Sequence, residues 1–455
     1  MTLHDIDTRA DDLRRALGDM VVLAGDPGYD AARTPWNLAI DQRPFAVARP
    51  ESAEDVVAVV RAAVAAGLRV APQSTGHGAG ALSGTDLSDA VIVSLAAMRG
   101  VTVDPEARTA RVLGGSQWND VLEASAPHGL TAMHGSSGDV SVAGYSLSGG
   151  LSFYGRRHGV AVNTVREVEL VTADGSLVRA SADENPDLFW GVRGGSSNFG
   201  IVVSLEIDLL PYADVFAGML LWDASRAEEV LDAWTRWTST ASESATTTLR
   251  VLNLPPLPEL PPFLSGRSVV VFDGAILETD AEASALLEPL RALEPEIDTF
   301  ARMPSAGLTA VHMDPPEPSP AITRHAVLEG LPPDARDAVL GALRLPGLFV
   351  AELRHLGGAF GRRAEGSGAV GSLAGEYVVE LIAMAPVPEA VPGAEAAVRA
   401  GIETLEPWHA DALALTFVDA GDVDRTPGFG DALERLRELK QVYDPAGVLV
   451  AGHPV

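Results

Sequence analysis

A histidine set between glycines, directly after a short apolar run, is the feature that most limits how this chain can fold. Residues 68–71 are typical of a strand, and Ser74-Thr75-Gly76-His77-Gly78 follows them. Glycine permits backbone conformations that other residues avoid, and small side chains let a ligand approach the main chain. Neither a Rossmann fingerprint, which needs a helix directly after its glycines, nor a Walker Gly-Lys-Ser/Thr is present. This loop alone fits an ordinary turn as well as a binding loop.

A second stretch of small residues favours the binding interpretation. It runs from Gly135 to Gly144 and is followed by Gly149-Gly150. Two such loops in one domain offer many backbone N–H groups with little side-chain bulk, so together they can embrace a large polyphosphate cofactor.

Strand and helix patterns around these loops predict an α+β fold in more than one domain, since 455 residues are too many for one ordinary core. Ser52 is a predicted N-cap, and strands are predicted at residues 90–95, 167–172 and 200–209. After Pro211 the pattern changes. Helices are predicted there at 228–237, 281–293, 334–343, 395–405 and 429–442, and strands at 269–272 and 376–384.

Composition excludes several function classes. Cysteine is absent, which rules out disulfides, thiolate metal sites and a cysteine nucleophile. The net charge of −29 disfavours nucleic acid and anionic membranes as partners. The sequence has neither a signal-peptide pattern nor an apolar run near the roughly 20 residues of a membrane span, so a cytoplasmic location is expected. No metal is predicted, because His312, His325, His355 and His409 lack ligand spacing.

Motifs spread over nearly the whole chain resemble one family. They are Arg49-Pro50, Ser74-Thr75-Gly76-His77, Val142-Ala143-Gly144, Gly149-Gly150, Arg157-His158-Gly159-Val160-Ala161, Asp174-Gly175, Asp187-Leu188-Phe189-Trp190-Gly191-Val192-Arg193-Gly194-Gly195, Asn198-Phe199-Gly200-Ile201-Val202, Leu356-Gly357-Gly358-Ala359 and Tyr443-Asp444-Pro445. In these motifs the chain resembles the FAD-linked oxidases with a vanillyl-alcohol-oxidase-type (PCMH-type) FAD-binding domain. Within that family it resembles the bacterial members of the berberine-bridge-enzyme-like branch.

The resemblance implies the domain plan. Residues 1–211 would form a two-subdomain PCMH-type FAD-binding domain, with its core at about 40–211. Residues 212–419 would form an α+β substrate domain with an antiparallel sheet over the flavin. Residues 420–455 would return to the FAD domain.

The resemblance also implies covalent FAD, bonded through its 8α-methyl group to His77. Bicovalent relatives use a cysteine where Ser137 stands, so His77 would be the sole anchor in a chain without cysteine. The chain departs from the family pattern at Gln73, where relatives carry arginine, and at Thr75, where they carry glycine. The residues expected to line the cofactor are Gln73, Ser74, Thr75, Gly76, His77, Gly78, Ser136, Ser137, Asp139, Val140, Val142, Gly144, Gly149, Gly150, Val160, Val162, Gly200, Ile201 and Val202.

The catalytic base is less evident. Relatives that oxidise alcohols often carry an Asn-Tyr pair where this chain has Thr416-Phe417, and phenylalanine cannot accept a proton. The candidates on the predicted strand 376–384 are Glu376, Tyr377 and Glu380; alternation puts the two glutamates on one face and Tyr377 on the other. Further candidates are His355, Tyr145 and Tyr154.

The function implied is a flavin-dependent oxidase of secondary metabolism or sugar chemistry. A hydride would pass from a small alcohol, sugar or secondary metabolite to FAD, and dioxygen would be reduced to hydrogen peroxide. Val142 matches a position where valine accompanies oxygen access in plant members. Three alternatives stay open: a flavin dehydrogenase or oxidative cyclase, a catalytically inactive flavin-binding protein, and an acidic binding protein without cofactor. The expected partners are the substrate and dioxygen, with no nucleic acid or membrane; the sequence specifies neither the substrate nor the oligomeric state.

Overall fold

The computed structural model describes residues 3–256, 258 and 264–455, and its first part is a small four-stranded sheet flanked by helices. Strand order is β1-β2-β4-β3, with β1 antiparallel to β2 and the other two pairs parallel. The Ser52 hydroxyl accepts from the Asp55 N–H at 3.1 Å and begins α3, as the sequence predicts. The elements are α1 Leu3–Leu17, β1 Val21–Leu23, α2 Tyr29–Arg33, β2 Ala46–Ala48, α3 Ala53–Ala65, β3 Arg69–Gln73 and β4 Ala90–Ser94.

A five-stranded antiparallel sheet follows, in the order β5-β6-β9-β7-β8. Its core is apolar and includes Trp118, Phe199 and Leu205. The elements are β5 Val101–Asp104, β6 Thr109–Leu113, α4 Trp118–Ser125, α5 Val142–Leu147, α6 Gly155–His158, β7 Val165–Val171, β8 Leu177–Ser181, α7 Pro186–Gly195 and β9 Ile201–Asp208.

An eight-stranded antiparallel sheet dominates the next part of the chain. Its order is β13-β10-β12-β11-β16-β17-β15, and β14 also pairs with β10. One face packs on helices through side chains such as Trp234, Phe272 and Leu381. The elements are β10 Asp214–Asp223, α8 Ala227–Thr238, β11 Ala245–Asn253, β12 Ser268–Ile276, α9 Asp280–Arg291, β13 Ile297–Asp298, β14 Ala301–Pro304, β15 Ala321–Leu328, α10 Pro333–Leu343, β16 Val350–His355, β17 Tyr377–Met384 and α11 Val391–Glu403.

The last segment lies against the first two sheets. It contains α12 Thr426–Phe429 and α13 Leu433–Tyr443. The Val70 N–H donates to the Val448 carbonyl at 2.8 Å, and the Val450 N–H donates to the Val70 carbonyl at 2.9 Å, so this segment extends the edge of β3. None of the helices in the described ranges is long and apolar enough to span a membrane.

The mixed helix-and-sheet fold with antiparallel sheets confirms the predicted fold class. The sequence missed six strands of the large sheet, β10, β11, β13, β14, β15 and β16. In β11, polar Thr248 and Arg250 alternate with apolar Leu249 and Val251, and all four are buried. Because two of its buried residues are polar, the segment lacks the apolar run by which a buried strand is predicted. Glu376 precedes β17 rather than beginning it.

Candidate active site

His77, in the first predicted binding loop, is contacted on three sides, by Trp36, Thr75 and Asp139. Gly76 has φ +81°, and a Cβ there would lie 2.6 Å from the Pro35 Cβ, so the turn requires glycine. The His77 imidazole stacks on the Trp36 indole with ring centroids 4.1 Å apart. Its Nδ1 lies 2.8 Å from the Thr75 hydroxyl, and its Nε2 lies 3.3 Å from a carboxylate oxygen of Asp139.

The second predicted loop meets the first through Asp139. Its carboxylate accepts from the Ser137 hydroxyl at 2.6 Å and from the Trp36 indole N–H at 2.7 Å. Burial raises the pKa of Asp139, but the nearby His77 imidazole and the Ser137 hydrogen bond outweigh it and keep the pKa below its usual value. The structure therefore brings residues of both loops to one ionised carboxylate.

Residues 114–116 and Trp36, which were not predicted to belong to the site, support these loops. The Ser74 hydroxyl donates to the Gly114 carbonyl at 2.7 Å, and the Val142 N–H donates to the Ser116 carbonyl at 3.1 Å. A Cβ on Gly114 would lie 2.4 Å from the Val202 carbonyl oxygen, which brings β9 next to the first loop. The adjacent glycines 114–115 after a strand, and Trp36 in a loop, were the signals available in the sequence.

Gly149, Gly150, Val160 and Val162, which are also predicted cofactor residues, lie beside the second loop. The Ala161 N–H donates to the Gly150 carbonyl at 3.0 Å, and the Val162 N–H donates to the Gly149 carbonyl at 2.8 Å. A Cβ on Gly150 would lie 2.5 Å from the Tyr145 ring. Val142 is fully buried in the adjacent core.

One surface of the eight-stranded sheet faces this region and is here called the inner face. It carries a row of charged residues. Arg250, Glu352, Glu380 and His325 are directly opposed across β11, β16, β17 and β15. The neighbouring row begins with Asp273, Thr248 and Arg354. All of these residues except Arg354 are at least nine-tenths buried.

Ion pairs link most of this cluster. Asp273 accepts from Arg250 at 2.5 Å and from the Thr248 hydroxyl at 2.6 Å, and lies 3.2 Å from His312 Nδ1. His312 Nε2 lies 3.0 Å from Glu352, which also pairs with Arg354. Burial and Arg250 lower the pKa of His312, but the two carboxylates outweigh them and raise it to about 9.

Glu380 differs from the other carboxyls of the inner face. No other described residue donates a hydrogen bond to its side chain. Burial, followed by the nearby Glu352 carboxylate, raises the pKa of Glu380 to about 8. Burial also acts to raise the pKa of Glu352, but Arg354 and His312 hold it below its usual value. Two opposed carboxyls with pKa values pushed apart are a pattern typical of acid–base sites.

The other predicted bases are not brought to Glu380. Tyr377 lies on the helix-covered face, where its hydroxyl is 2.6 Å from that of Thr238. His355 stacks on Tyr377, and its Nδ1 lies 2.8 Å from Arg156 Nη1. Glu376 is exposed. Tyr145 and Tyr154 are buried beside the second loop.

Phe417, at the position where relatives often carry tyrosine, lies at the inner face. Its ring is 4.8 Å from the Arg354 guanidinium carbon and 6.0 Å from the His325 ring. It belongs to a short 3₁₀ turn, Leu415–Phe417, rather than to a late strand.

The loops and the inner face meet in one buried region. The Phe153 ring is 6.1 Å from that of His312, and Leu151 and Val162 pack with Val378 of the inner face. Buried polar atoms near the second loop lack hydrogen-bond partners within the described ranges: His134 Nε2, Tyr145 Oη and Asn163 Oδ1. Orphaned polar atoms beside glycine-rich loops fit a large polar cofactor. No cluster of three or more metal-ligating side chains was found among the described residues.

Residues 44–181 match the family model described as an FAD binding domain. These residues form an FAD binding domain. The predicted resemblance to FAD-linked oxidases is confirmed, and the fold is that of berberine-bridge-enzyme-like (BBE-like) proteins.

Curated relatives share about half of the chain. The (R)-6-hydroxynicotine oxidase of Paenarthrobacter nicotinovorans is 35% identical over 210 residues, 46% of this chain and 45% of that protein. The xylooligosaccharide oxidase of Thermothelomyces thermophilus is 38% identical over 174 residues, 38% of this chain and 35% of that protein. The chain thus matches less than half of the length of either relative.

Solved structures match over almost the full length. Wild-type BBE-like 1 of Physcomitrella patens has a TM-score of 0.85 at 19% identity and covers 98% of both chains. The xylooligosaccharide oxidase of Myceliophthora thermophila, in complex with xylobiose, has a TM-score of 0.82 at 23% identity, over 98% of this chain and 99% of that one. At these identities the likeness shows the fold.

Proposed function

We propose that this protein is an FAD-dependent oxidase of a small alcohol, sugar or secondary metabolite, with FAD bonded to His77 alone. Bound FAD supplies hydride acceptance from a substrate carbon and electron transfer to dioxygen, which forms hydrogen peroxide. The observation that carries the proposal is Glu380, a buried carboxyl with a raised pKa and no hydrogen-bond donor among the described residues, on the sheet face that meets the FAD binding domain.

Residues of both glycine loops would hold the cofactor. They are the 73–78 and 136–144 segments, together with Gly149-Gly150, Val160, Val162 and residues 200–202. His77 would be the only covalent anchor, because Ser137 stands where bicovalent relatives carry cysteine. In this proposal residues 1–211 and 420–455 bind FAD, and residues 212–419 form the substrate domain.

Glu380 would accept the proton from the substrate's hydroxyl group. Glu352 is unsuited to this role, because Arg354 and His312 already stabilise its ionised form. The same Glu352 charge increases the proton affinity of Glu380, which makes it a stronger base than an ordinary carboxylate.

Dioxygen as electron acceptor is supported by Val142 and by the oxidase names of the curated relatives. A dehydrogenase is the second candidate. Among the solved structures, one Phl p 4 variant is described as a glucose dehydrogenase and another as a glucose oxidase, with TM-scores of 0.83 and 0.82. The peroxide formed per substrate oxidised separates the two: a ratio near one supports the oxidase.

The decisive test compares Glu380→Gln with Glu376→Gln, an exposed glutamate just before the same strand. Purified yellow enzyme is assayed for peroxide with a panel of alcohols and sugars, including xylobiose, and with 6-hydroxynicotine. We expect Glu380→Gln to lower kcat by about 10²–10⁴-fold, as for loss of a general base, with Glu376→Gln near wild type. Equal rates in all three proteins would reject Glu380 as the base, and a colourless protein expressed with ample riboflavin would reject the flavoenzyme.

A further inference from the structure

His325 lies on the inner face, directly opposite the proposed base. The pairing of β15 with β17 sets His325 against Glu380, and directly opposed residues of antiparallel strands have Cβ atoms about 4.5–5.5 Å apart. His325 is only 9% exposed, and its ring lies 6.0 Å from that of Phe417. Two polar side chains on adjacent strands therefore reach into the same buried region.

The imidazole of His325 is neutral and incompletely paired. Its Nε2 is a buried atom without a hydrogen-bond partner in the part of the chain that the structure describes. Burial lowers the pKa of His325 to about 4; the Phe417 carbonyl opposes this shift and His453 adds to it. Because an unpaired buried polar atom is costly, a bound molecule that supplies its partner is favoured.

Other polar side chains of the inner face already bind one another. Arg250 pairs with Asp273, and His312 lies 3.0 Å from Glu352. These pairs satisfy their own charges, whereas His325 and Glu380 are free to meet a ligand.

A hydroxyl group is the partner that suits either tautomer of this imidazole. It can donate to a lone pair at Nε2 or accept from an N–H there, whereas an ammonium group can only donate and a carbonyl oxygen can only accept. Because His325 and Glu380 start about 5 Å apart, a small substrate can reach both of them with hydroxyls on adjacent carbons.

We propose that His325 is a substrate-binding residue: its Nε2 holds a second hydroxyl beside the one that Glu380 deprotonates, so the substrate is a vicinal diol. This inference rests on the proposed oxidase function and on Glu380 as its base.

The test compares each diol with the alcohol that lacks its second hydroxyl. The probes are vicinal cyclohexanediol against cyclohexanol, and glucose against 2-deoxyglucose, which lacks the hydroxyl beside the anomeric carbon. Peroxide formation is measured with the purified yellow enzyme. In wild type we expect kcat/KM to be about 10–100-fold higher for the diol, because the simpler alcohol leaves Nε2 unpaired.

Variants of His325 should remove this preference selectively. His325→Leu has a side chain of similar size without polar atoms, so the ratio of diol to alcohol should fall to within about threefold, through a loss on the diol alone. His325→Gln keeps a donor and an acceptor and should retain part of the ratio.

His409→Leu is the matched control. The Nε2 of His409 also lacks a partner in the described ranges, but its backbone pairs with Leu328, which lies on the helix-covered face. The ratio in this variant should equal that of wild type.

Three results would overturn the proposal: equal kcat/KM for diol and alcohol in wild type, an unchanged ratio in His325→Leu, or oxidation confined to compounds without a vicinal diol. Loss of FAD or a shifted flavin spectrum in His325→Leu but not in His409→Leu would place the imidazole on the cofactor and also overturn it. All four results leave the oxidase and Glu380 standing. A yellow wild type that oxidises no alcohol, diol or sugar would overturn both.

Discussion

The two halves of the candidate site are built by opposite means. The loop half, around His77, uses small residues and half-buried side chains, with one carboxylate shared by the His77 imidazole, an indole and a hydroxyl. The inner face of the large sheet uses buried charges paired between strands, within a strand and with a loop. A loop that binds a cofactor through its backbone needs space, whereas a buried face that handles protons needs carboxyls with different proton affinities.

The largest effect should come from His77→Ala. If His77 is the only covalent anchor, all acid-stable flavin fluorescence should be lost on denaturing gels, while FAD bound non-covalently survives gel filtration. Ser137→Ala, at the position of the second anchor in relatives, should keep full fluorescence. Fluorescence that persists in His77→Ala would show a different anchor.

On the inner face, Asp273→Asn should be strongly destabilising. It would leave Arg250 and His312 buried without their shared carboxylate. We expect a loss of about 3–5 kcal/mol in the free energy of unfolding, measured in urea. Asp187→Asn breaks an exposed pair with Arg435 and should cost less than about 1 kcal/mol. Similar losses in both variants would contradict the burial argument.

Glu380→Gln should stabilise the protein in alkali. The folded-state pKa of Glu380 is raised to about 8 from 4.5. The folded state therefore keeps a proton that the unfolded state has lost, and stability falls as the pH rises between these values. Above pH 8 the variant should be more stable than wild type by about 5 kcal/mol, with the difference vanishing near pH 4. Unfolding curves at both pH values test this, and an unchanged difference would exclude Glu380 as the source.

The smallest effect expected is on the pH–rate profile. Glu380 accepts a proton only when ionised, so kcat should fall about tenfold for each pH unit below its pKa of about 8. His312, whose pKa is about 9, should add a second decline above that pH as the cluster loses a positive charge. A flat profile between pH 6 and 8 would indicate that Glu380 does not transfer the proton in the rate-limiting step.

The meeting of the two loops could be predicted from the sequence, because its signal is local. Glycines and serines near His77 and Ser137 lie in contiguous stretches, and the structure brings both stretches to Asp139. The inner face was predicted poorly. Glu380 was expected on one face and Tyr377 on the other, and the structure agrees. The partners Asp273, His312 and Glu352 were missed, because they come from separate strands and a loop.

The sequence by itself indicated the FAD binding domain, the two candidate cofactor loops and the absence of cysteine, since these depend on residue identity along short stretches. Only the tertiary structure decided how the site is charged. Strand pairing places Glu352 opposite Glu380, and folding brings Asp139 into contact with Trp36, which is 103 residues away in the chain. Proton affinity depends on burial and on charges a few ångströms away, and the linear order of residues does not show those distances.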